Sequence, residues 1–401
     1  MGSQTENEGM GRRRVIMALG FAVAAFGLAA CTSSSFDRLG PETEAPQGEQ
    51  PVAAPIGAGQ VRVALILPLS AQGNAGVAAV SMKNAAELAL AEFKEPNVQL
   101  LVKDDAGTPQ GAQAAAQQAI AEGAEMIIGP LFAQSVSTVG ALARARGIPV
   151  IAFSTDASVA ARGVYLLSFL PESDVRRIVD YAVTRGKRSY AALLPDNAYG
   201  AVVEAAFQQA VARRAGRVVA LEKYPADPTK MGEPIRRIAQ ATANADSLFI
   251  PDGADAVPLV VQQLEANRVN VKRLQLLGTG LWDDPRIMEN PALAGALFAA
   301  PDSAGFRAFA TRYRARYGGE PVRTATLAYD AVALVAALVK TQGAQRFSEQ
   351  TLTGSSGFAG IDGIFRFKSD GTNERGLAVL RVAPGGAQVV SPAPKAFAPG
   401  T

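Results

Sequence analysis

The sequence predicts an α/β protein with two lobes, each built on a parallel sheet that carries helices on both faces. Strand-type and helix-type segments alternate regularly from Val61 onward. The strand-type segments are almost continuous apolar runs, which is typical of parallel strands that are buried on both faces. The alternation stops near Pro171 and then starts again. Since one core rarely holds the roughly 340 residues involved, two lobes are expected.

The first series of elements starts at Val61, and local signals indicate its boundaries. Pro68 ends the first strand, and Thr108-Pro109 pairs a cap residue with a first-turn proline. The predicted strands are Val61–Leu67, Val98–Val102, Met126–Ile128 and Ile148–Phe153. The predicted helices are Val77–Phe93, a helix from Thr108 to Ala121, and a further helix that ends at Arg146.

The second series repeats the pattern after Pro171, again with apolar strands between amphipathic helices. Its predicted helices are Asp174–Thr184, Tyr199–Arg213, Lys230–Ala241 and Ala254–Asn267. Its predicted strands are Tyr190–Leu194, Val218–Leu221, Ser247–Ile250 and Leu274–Leu277. Because ligands of open α/β sheets collect at the carboxyl ends of the strands, the two sets of strand ends are expected to face each other across a cleft.

The C-terminal part contains segments that are expected to return to the first lobe. The helix Thr324–Lys340 is rich in Ala and Val and is expected in the core. Ile364–Phe367 and Leu377–Val382 are predicted to form a hairpin. We therefore assign residues 61–168 and about 299–352 to lobe one, and residues 169–298 and about 353–390 to lobe two.

The first thirty residues have the pattern of a secretory signal peptide. Arg12, Arg13 and Arg14 precede an uncharged run that extends from Val15 to Ala30 and is too short to span a bilayer comfortably. The arginines partly match a twin-arginine signal, but the rest of that motif is absent. Export by the Sec route is therefore favoured, while the Tat route stays open.

Leu28-Ala29-Ala30-Cys31 resembles the lipobox of bacterial lipoproteins. The resemblance implies cleavage before Cys31 and a lipid anchor on its thiol, so a membrane is an expected partner. Thr32 stands where an inner-membrane retention signal has aspartate, which favours the outer membrane and a periplasmic location. Residues 31–60 are rich in Ser, Pro, Gly, Gln and Glu, a composition that predicts a flexible linker.

Composition excludes several classes of function. The chain has no histidine, which removes Ser-His-Asp catalysis and the usual zinc sites, and Cys31 is its one cysteine. The formal charge is +3, no basic stripe with interleaved aromatic residues occurs, and nucleic-acid binding is not expected. No phosphate-binding P-loop is present. We therefore expect a protein that is not an enzyme and has neither a cofactor nor a metal.

The chain resembles the type I periplasmic binding proteins, the Leu/Ile/Val-binding group. The resemblance extends from about Val61 to Val382 and implies two lobes that close on a small molecule. The stretches that carry it are Val63–Ser70, Met126–Leu131, Gly147–Thr155, Asp196–Gly200 and Gly360–Gly371.

The same resemblance implies candidate ligand contacts. In lobe one, Ser135, Ser154 and Thr155 match positions that hold the carboxylate of an amino acid.

In lobe two, Tyr199 matches the aromatic residue that covers the ligand. The acid that pairs with the ligand amine is expected near Gly280, where this chain has none, and Asp252 and Asp283 are the alternatives. Trp282 stands at the expected cleft mouth, where ligand stacking and core packing are both open.

Two functions are compatible with these patterns. The stretch Val164–Pro171, continued by Val175-Arg176-Arg177, resembles penicillin-binding-protein activators, lipoproteins that stimulate peptidoglycan synthases. Together with Thr32 and the missing acid, it favours a non-catalytic regulator whose partner is such a synthase. The alternative is a solute-binding lipoprotein that delivers a branched-chain amino acid or related molecule to an ABC permease.

Overall fold

The computed structural model describes residues 54–397. The predicted signal peptide 1–30, the lipidation site Cys31 and the linker as far as residue 53 therefore lie outside the described residues. Within 54–397, no helix combines the length and the apolar character that crossing a bilayer requires.

Lobe one is built on a five-stranded parallel sheet with the strand order β2-β1-β3-β4-β5. The strands are β1 (Val61–Leu67), β2 (Val98–Asp104), β3 (Met126–Ile128), β4 (Val150–Ala152) and β5 (Val164–Leu166). The connecting helices are α1 (Asn74–Glu92), α2 (Pro109–Ala121) and α3 (Ala133–Arg144). The side chain of Thr108 caps α2 by accepting a hydrogen bond from the Gly111 amide, as the Thr-Pro pair predicts.

Lobe two is built on a seven-stranded sheet in which five strands are parallel and two are antiparallel, with the order β15-β14-β10-β9-β8-β6-β7. The strands are β6 (Ser189–Pro195), β7 (Arg217–Tyr224), β8 (Ser247–Phe249), β9 (Gln275–Gly278), β10 (Leu297–Ala300), β14 (Ala378–Ala383) and β15 (Gly386–Ser391). The helices are α4 (Pro171–Thr184), α5 (Ala198–Arg213), α6 (Gly232–Ala241), α7 (Val257–Ala266) and α8 (Pro285–Met288).

After β10 the chain returns to lobe one and stays there until β13. The elements of this return are α9 (Ser303–Tyr317), α10 (Ala325–Thr341), α11 (Glu349–Leu352), β11 (Phe358–Gly360), β12 (Gly363–Phe367) and β13 (Asn373–Arg375). The three strands form a small antiparallel sheet. As expected, α10 is part of the core: residues such as Leu327 and Val335 are buried in one core cluster of lobe one, and α10 packs beside α1.

Each large sheet is covered on both faces, as the apolar strands predict. In lobe one, Val63 and Leu65 belong to one core cluster, and Ala64 and Ile66, which point the other way, belong to a second. Lobe two likewise has one cluster on each face of its sheet. The predicted class, a two-lobed α/β protein with helices on both faces of parallel sheets, is confirmed.

The lobe boundaries in the C-terminal part differ from the prediction. Phe365 and Phe367 pack in the core of lobe one, against Tyr165 among others, so residues 358–375 do not belong to lobe two as assigned. The predicted hairpin between Ile364–Phe367 and Leu377–Val382 is also wrong, because the two segments pair with other strands. β12 pairs with β13, whereas β14 pairs antiparallel with β10 in lobe two.

The predicted linker also ends earlier than residue 60. The backbone of Ile56 pairs with Leu100 at the edge of β2, and its side chain packs on the core of lobe one. The Gly59 amide donates to the Val98 carbonyl oxygen. Residues 56–60 therefore run along the open edge of the first sheet.

Candidate ligand cleft

A cavity of about 230 Å³ lies where the two lobes meet. Lobe two contributes the first turn of α4, the start of α5 and the loop after β9. The chain segments that pass between the lobes contribute the residues just before α4 and just after β10. The side chains that give the cavity its chemical character are Phe169, Asp174, Tyr199, Leu281, Asp283 and Arg323.

Asp174 is the acid of this cavity that sequence reasoning missed. It lies in the first turn of α4, which starts at Pro171, and its Oδ2 accepts a 2.8 Å hydrogen bond from the Gly280 amide. Burial raises the pKa of Asp174 to about 7, although the Gly280 amide and the charge of Arg375 act in the opposite direction. An acid near Gly280 was expected from the resemblance; Asp174 lies beside Gly280, although it belongs to α4 and not to the loop after β9.

Tyr199 lines the cavity from lobe two, at the position predicted for the aromatic lid. Asn197 caps α5 by accepting a hydrogen bond from the Gly200 amide, which sets the start of the helix. The Tyr199 hydroxyl lies 3.1 Å from Thr279 Oγ1, and burial raises the pKa of the phenol. The tyrosine therefore presents a neutral ring and hydroxyl to the cavity.

Asp252 and Asp283, the two predicted alternatives for the amine-binding acid, differ in their position relative to the cavity. Asp252 Oδ2 accepts a 2.6 Å hydrogen bond from the Tyr224 hydroxyl, and it does not line the cavity. Asp283 does line it. Burial raises the pKa of the Asp283 carboxyl group, while the charges of Arg323 and Arg307 act in the opposite direction. Asp283 is thus a second carboxyl group in the lining of the cavity.

Trp282 is a core residue, which decides between the two alternatives left open for it. Its side chain is 0% exposed and packs in a core cluster of lobe two. The indole Nε1 donates a 3.1 Å hydrogen bond to the Ile250 carbonyl oxygen. A Cβ atom on Gly278 would lie 2.2 Å from the indole ring. The tryptophan therefore fixes the loop after β9 from beneath and is not a cleft residue.

The three lobe-one candidates do not line the cavity. Ser135 is fully buried on α3, where its hydroxyl group lies near the carboxyl group of the buried Asp105. Ser154 is buried as well, and its Oγ accepts a 3.1 Å hydrogen bond from the Asp156 amide, which makes it a turn residue. Thr155 is exposed. The structure does not bring these hydroxyl groups together with Tyr199 and Asp174.

Phe169 and Arg323 also line the cavity, and sequence reasoning missed them too. The guanidinium carbons of Arg323 and Arg375 lie 4.8 and 4.7 Å from the centre of the Phe169 ring. Such cation–π contacts hold an aromatic ring in place. The sequence feature that could have indicated this position is Phe169 itself, a large apolar residue two positions before the start of α4 at Pro171.

A family model described as a periplasmic binding protein matches residues 60–387. The chain therefore belongs to the periplasmic binding proteins. Its fold is shared with solved periplasmic binding proteins, in agreement with the type I resemblance. An uncharacterized protein of Rickettsia prowazekii is 22% identical over 187 residues, which cover 47% of this chain. The aligned part spans 48%, about half, of that relative's length.

Solved structures support the same fold. One, from Rhodospirillum rubrum and described as a branched-chain amino acid ABC transporter, has a TM-score of 0.74 at 19% identity and covers 82% of this chain and 99% of its own. A leucine binding protein of Thermotoga maritima has a TM-score of 0.58 at 19% identity, with 84% and 99% covered. A solute-binding protein of R. palustris in complex with benzoate has a TM-score of 0.58 at 21% identity, with 85% and 98% covered. At these identities the likeness concerns the fold.

Proposed function

We propose that the protein is a solute receptor that binds a small amine-bearing molecule, of the amino-acid type, between its lobes and presents it to an ABC permease. The role is binding without catalysis. The observation that carries the proposal is Asp174, a carboxyl group in a small cavity that also contains Tyr199, Phe169 and Leu281. A carboxylate at that place can pair with an ammonium group, while the apolar residues contact a hydrocarbon side chain.

The rival function is a regulator of a peptidoglycan synthase. One of the three arguments for it is the missing acid near Gly280, because a buried ammonium without a carboxylate partner is costly. Asp174 removes that argument, since its Oδ2 is bonded to the Gly280 amide itself. Solute binding is therefore favoured over regulation of a synthase.

Calorimetric titration of the full chain, purified in detergent, tests the proposal. The probes are branched-chain amino acids, each beside the carboxylic acid that lacks its amine: L-leucine with 4-methylpentanoate, and L-valine with 3-methylbutanoate. Benzoate serves as an amine-free aromatic acid. We expect stoichiometric binding of an amino acid and much weaker binding of its partner acid. Equal affinity for both, or binding of benzoate alone, contradicts the amine.

If none of these solutes binds, the next measurement is whether the same chain captures a peptidoglycan synthase. Capture would support the rival function, regulation of that synthase. The appropriate control is a chain with Asp174→Asn, because a cleft-independent partner is indifferent to that change. Loss of the captured synthase in the variant would instead place the partner at the cleft.

A lipid anchor on Cys31 is also part of the proposal. Cys31 lies outside the described residues, and we infer from the Leu-Ala-Ala-Cys motif that it carries lipid in the outer membrane, facing the periplasm. Cys31→Ser removes the thiol that would be acylated, so metabolic labelling with a radioactive fatty acid should lose its band. Thr32→Asp should instead move the labelled protein to the inner membrane. A labelled band that persists in Cys31→Ser argues against the lipid.

A further inference from the structure

Within the described residues, the chain passes between the lobes along three connecting segments. They are residues 167–170, between β5 and α4, residues 301–302, between β10 and α9, and residues 376–377, between β13 and β14. The first segment is bonded to the residues just before the third. The Ser168 carbonyl oxygen accepts hydrogen bonds of 2.8 Å from Asn373 Nδ2 and 3.0 Å from Arg375 Nε. A rotation of one lobe against the other therefore has to take place in this region.

Five side chains in this region alternate between aromatic rings and guanidinium groups, and we call them the hinge cluster. The Arg323 guanidinium carbon lies 4.8 Å from the centre of the Phe306 ring and 4.8 Å from the centre of the Phe169 ring. The Arg375 guanidinium carbon lies 4.7 Å from the centre of the Phe169 ring and 5.6 Å from that of Phe365. Phe169 is therefore the ring that both arginines share.

The members of the hinge cluster come from all three connecting segments or lie directly beside them. Phe169 belongs to the first segment, Phe306 lies in the first turn of α9 just after the second, and Arg375 directly precedes the third. Because these side chains belong to separate segments, a rotation between the lobes changes the distances between the rings and the guanidinium groups.

Both arginines are held from the side of lobe one. Arg323 donates hydrogen bonds of 2.7 and 2.8 Å to the two carboxylate oxygens of the buried Asp362. Arg375 is 5% exposed, and its Nη1 and Nη2 are buried without a hydrogen-bond partner among the described residues. The attraction between a cation and a ring face is strongest when the cation is removed from water. The rings are therefore important contacts for Arg375.

We propose that the hinge cluster holds the two lobes in one relative orientation, and that Phe169 is the positioning residue that imposes this restraint on the first connecting segment. Phe169 and Arg323 also line the cavity between the lobes, so a molecule bound there contacts the hinge cluster directly. The inference goes beyond the proposed function, because it concerns the orientation of the lobes and requires no particular solute.

Distances between two spin labels test the restraint. Gln117→Cys on α2 and Ala205→Cys on α5 place one label at an exposed position of each lobe, and Cys31→Ser in the same full chain removes the native thiol. Double electron–electron resonance then gives the distribution of interlobe distances without any solute. We expect a narrow distribution with native Phe169. In Phe169→Leu the population of other orientations should rise by about tenfold or more, because two cation–π contacts are lost.

Phe93→Leu is the matched control. Lys340 Nζ lies 5.8 Å from the centre of the Phe93 ring, so the same substitution removes a cation–π contact that lies within lobe one. This variant should keep the narrow distribution, and so should Phe169→Tyr, which retains the ring. If Phe93→Leu broadens the distribution as much as Phe169→Leu does, the proposal is overturned, because the effect then does not depend on the hinge cluster.

Phe306→Leu protects the test against a folding defect in Phe169→Leu. Phe306 does not line the cavity, and its loss removes one ring from Arg323, so we expect a smaller broadening in the same direction. Narrow distributions in both variants overturn the hinge cluster as a restraint. That result leaves the receptor function standing, because solute binding is measured separately by calorimetry. Broadening in a protein that binds no amino acid supports the hinge cluster and contradicts the receptor.

Discussion

Asp174 Oδ2 accepts a 2.8 Å hydrogen bond from the backbone amide of Gly280, which joins the first turn of α4 to the loop after β9. The two residues are 106 positions apart in the chain. The contact places a carboxyl group in the cavity beside Gly280, a residue that itself offers only backbone. The proposed recognition of an amine depends on this pair of residues.

Asp174→Asn should weaken binding of an amino-acid solute by about 30-fold or more, because loss of one partner of a buried charge pair costs about 2 kcal/mol or more. The amide is close in size to the carboxylate, so the fold should be kept. Isothermal calorimetry measures the effect. Asp180→Asn, at a half-buried position of the same helix where the carboxylate pairs with Arg214, is the matched control. Equal affinities in the two variants would remove Asp174 from the site.

Affinity for the amine should depend on pH with a known sign. The pKa of Asp174 is about 7, and the ionised form binds an ammonium group. Affinity should therefore fall as the pH decreases below about 7, by up to about tenfold per unit, and should level off above it. Calorimetry from pH 5 to 8 checks the slope. A flat profile, or one with the opposite slope, would mean that the solute cation lies elsewhere.

Asp330 should make folding stability depend on pH. Burial raises its pKa from 3.8 to about 7, so between these values the folded state holds a proton that the unfolded state releases. Its contribution to stability is fully present below about pH 4 and is lost as the pH rises through about 7. Thermal melts should show a smaller loss of stability over that window in Asp330→Asn than in the wild-type protein. Parallel curves for the two would contradict the raised pKa.

Trp282→Ala should destabilise the protein by about 3–5 kcal/mol, the usual cost of removing a buried aromatic side chain. The indole is fully buried and also donates to the Ile250 carbonyl oxygen. Urea unfolding followed by circular dichroism gives the free energy of unfolding. Since the chain has one tryptophan, its fluorescence in the wild-type protein should be that of a buried indole. A solvent-exposed emission spectrum would contradict the core position.

Gly278→Ala should disturb both the core of lobe two and the cleft. Its Cβ would lie 2.2 Å from the Trp282 ring, which is closer than any normal contact, so the ring and the loop above it must shift. Gly253→Ala, in the loop after β8, is the control, because its Cβ would meet no atom within 4 Å. We expect a lower melting temperature and weaker solute binding in the first variant and neither in the second. Two equally stable variants would argue against the close packing.

Some elements escaped prediction for identifiable reasons. β10 is a strand of four residues, Leu297–Ala300, with two alanines, and it gives no clear strand signal alone. α9 carries four arginines among its 15 residues, and they weaken the apolar helical period of the segment. The position of β12 was predicted, but its partner was not. Pairing between strands depends on contacts that a local pattern does not contain.

The sequence by itself determined the alternation of strands and helices, because burial on both faces demands apolar strands and several helix starts carry their own capping residue. It also determined the two-lobed class, and it pointed to Tyr199 and Asp283 at the cleft. Only the tertiary structure decided that Trp282 is core, that Ser135 is buried, and that residues 358–375 pack on lobe one. Only the tertiary structure brought Asp174 to Gly280 and Arg375 to Phe169. The physical reason is the same in each case: burial, charge and pKa depend on neighbours that are distant in the chain.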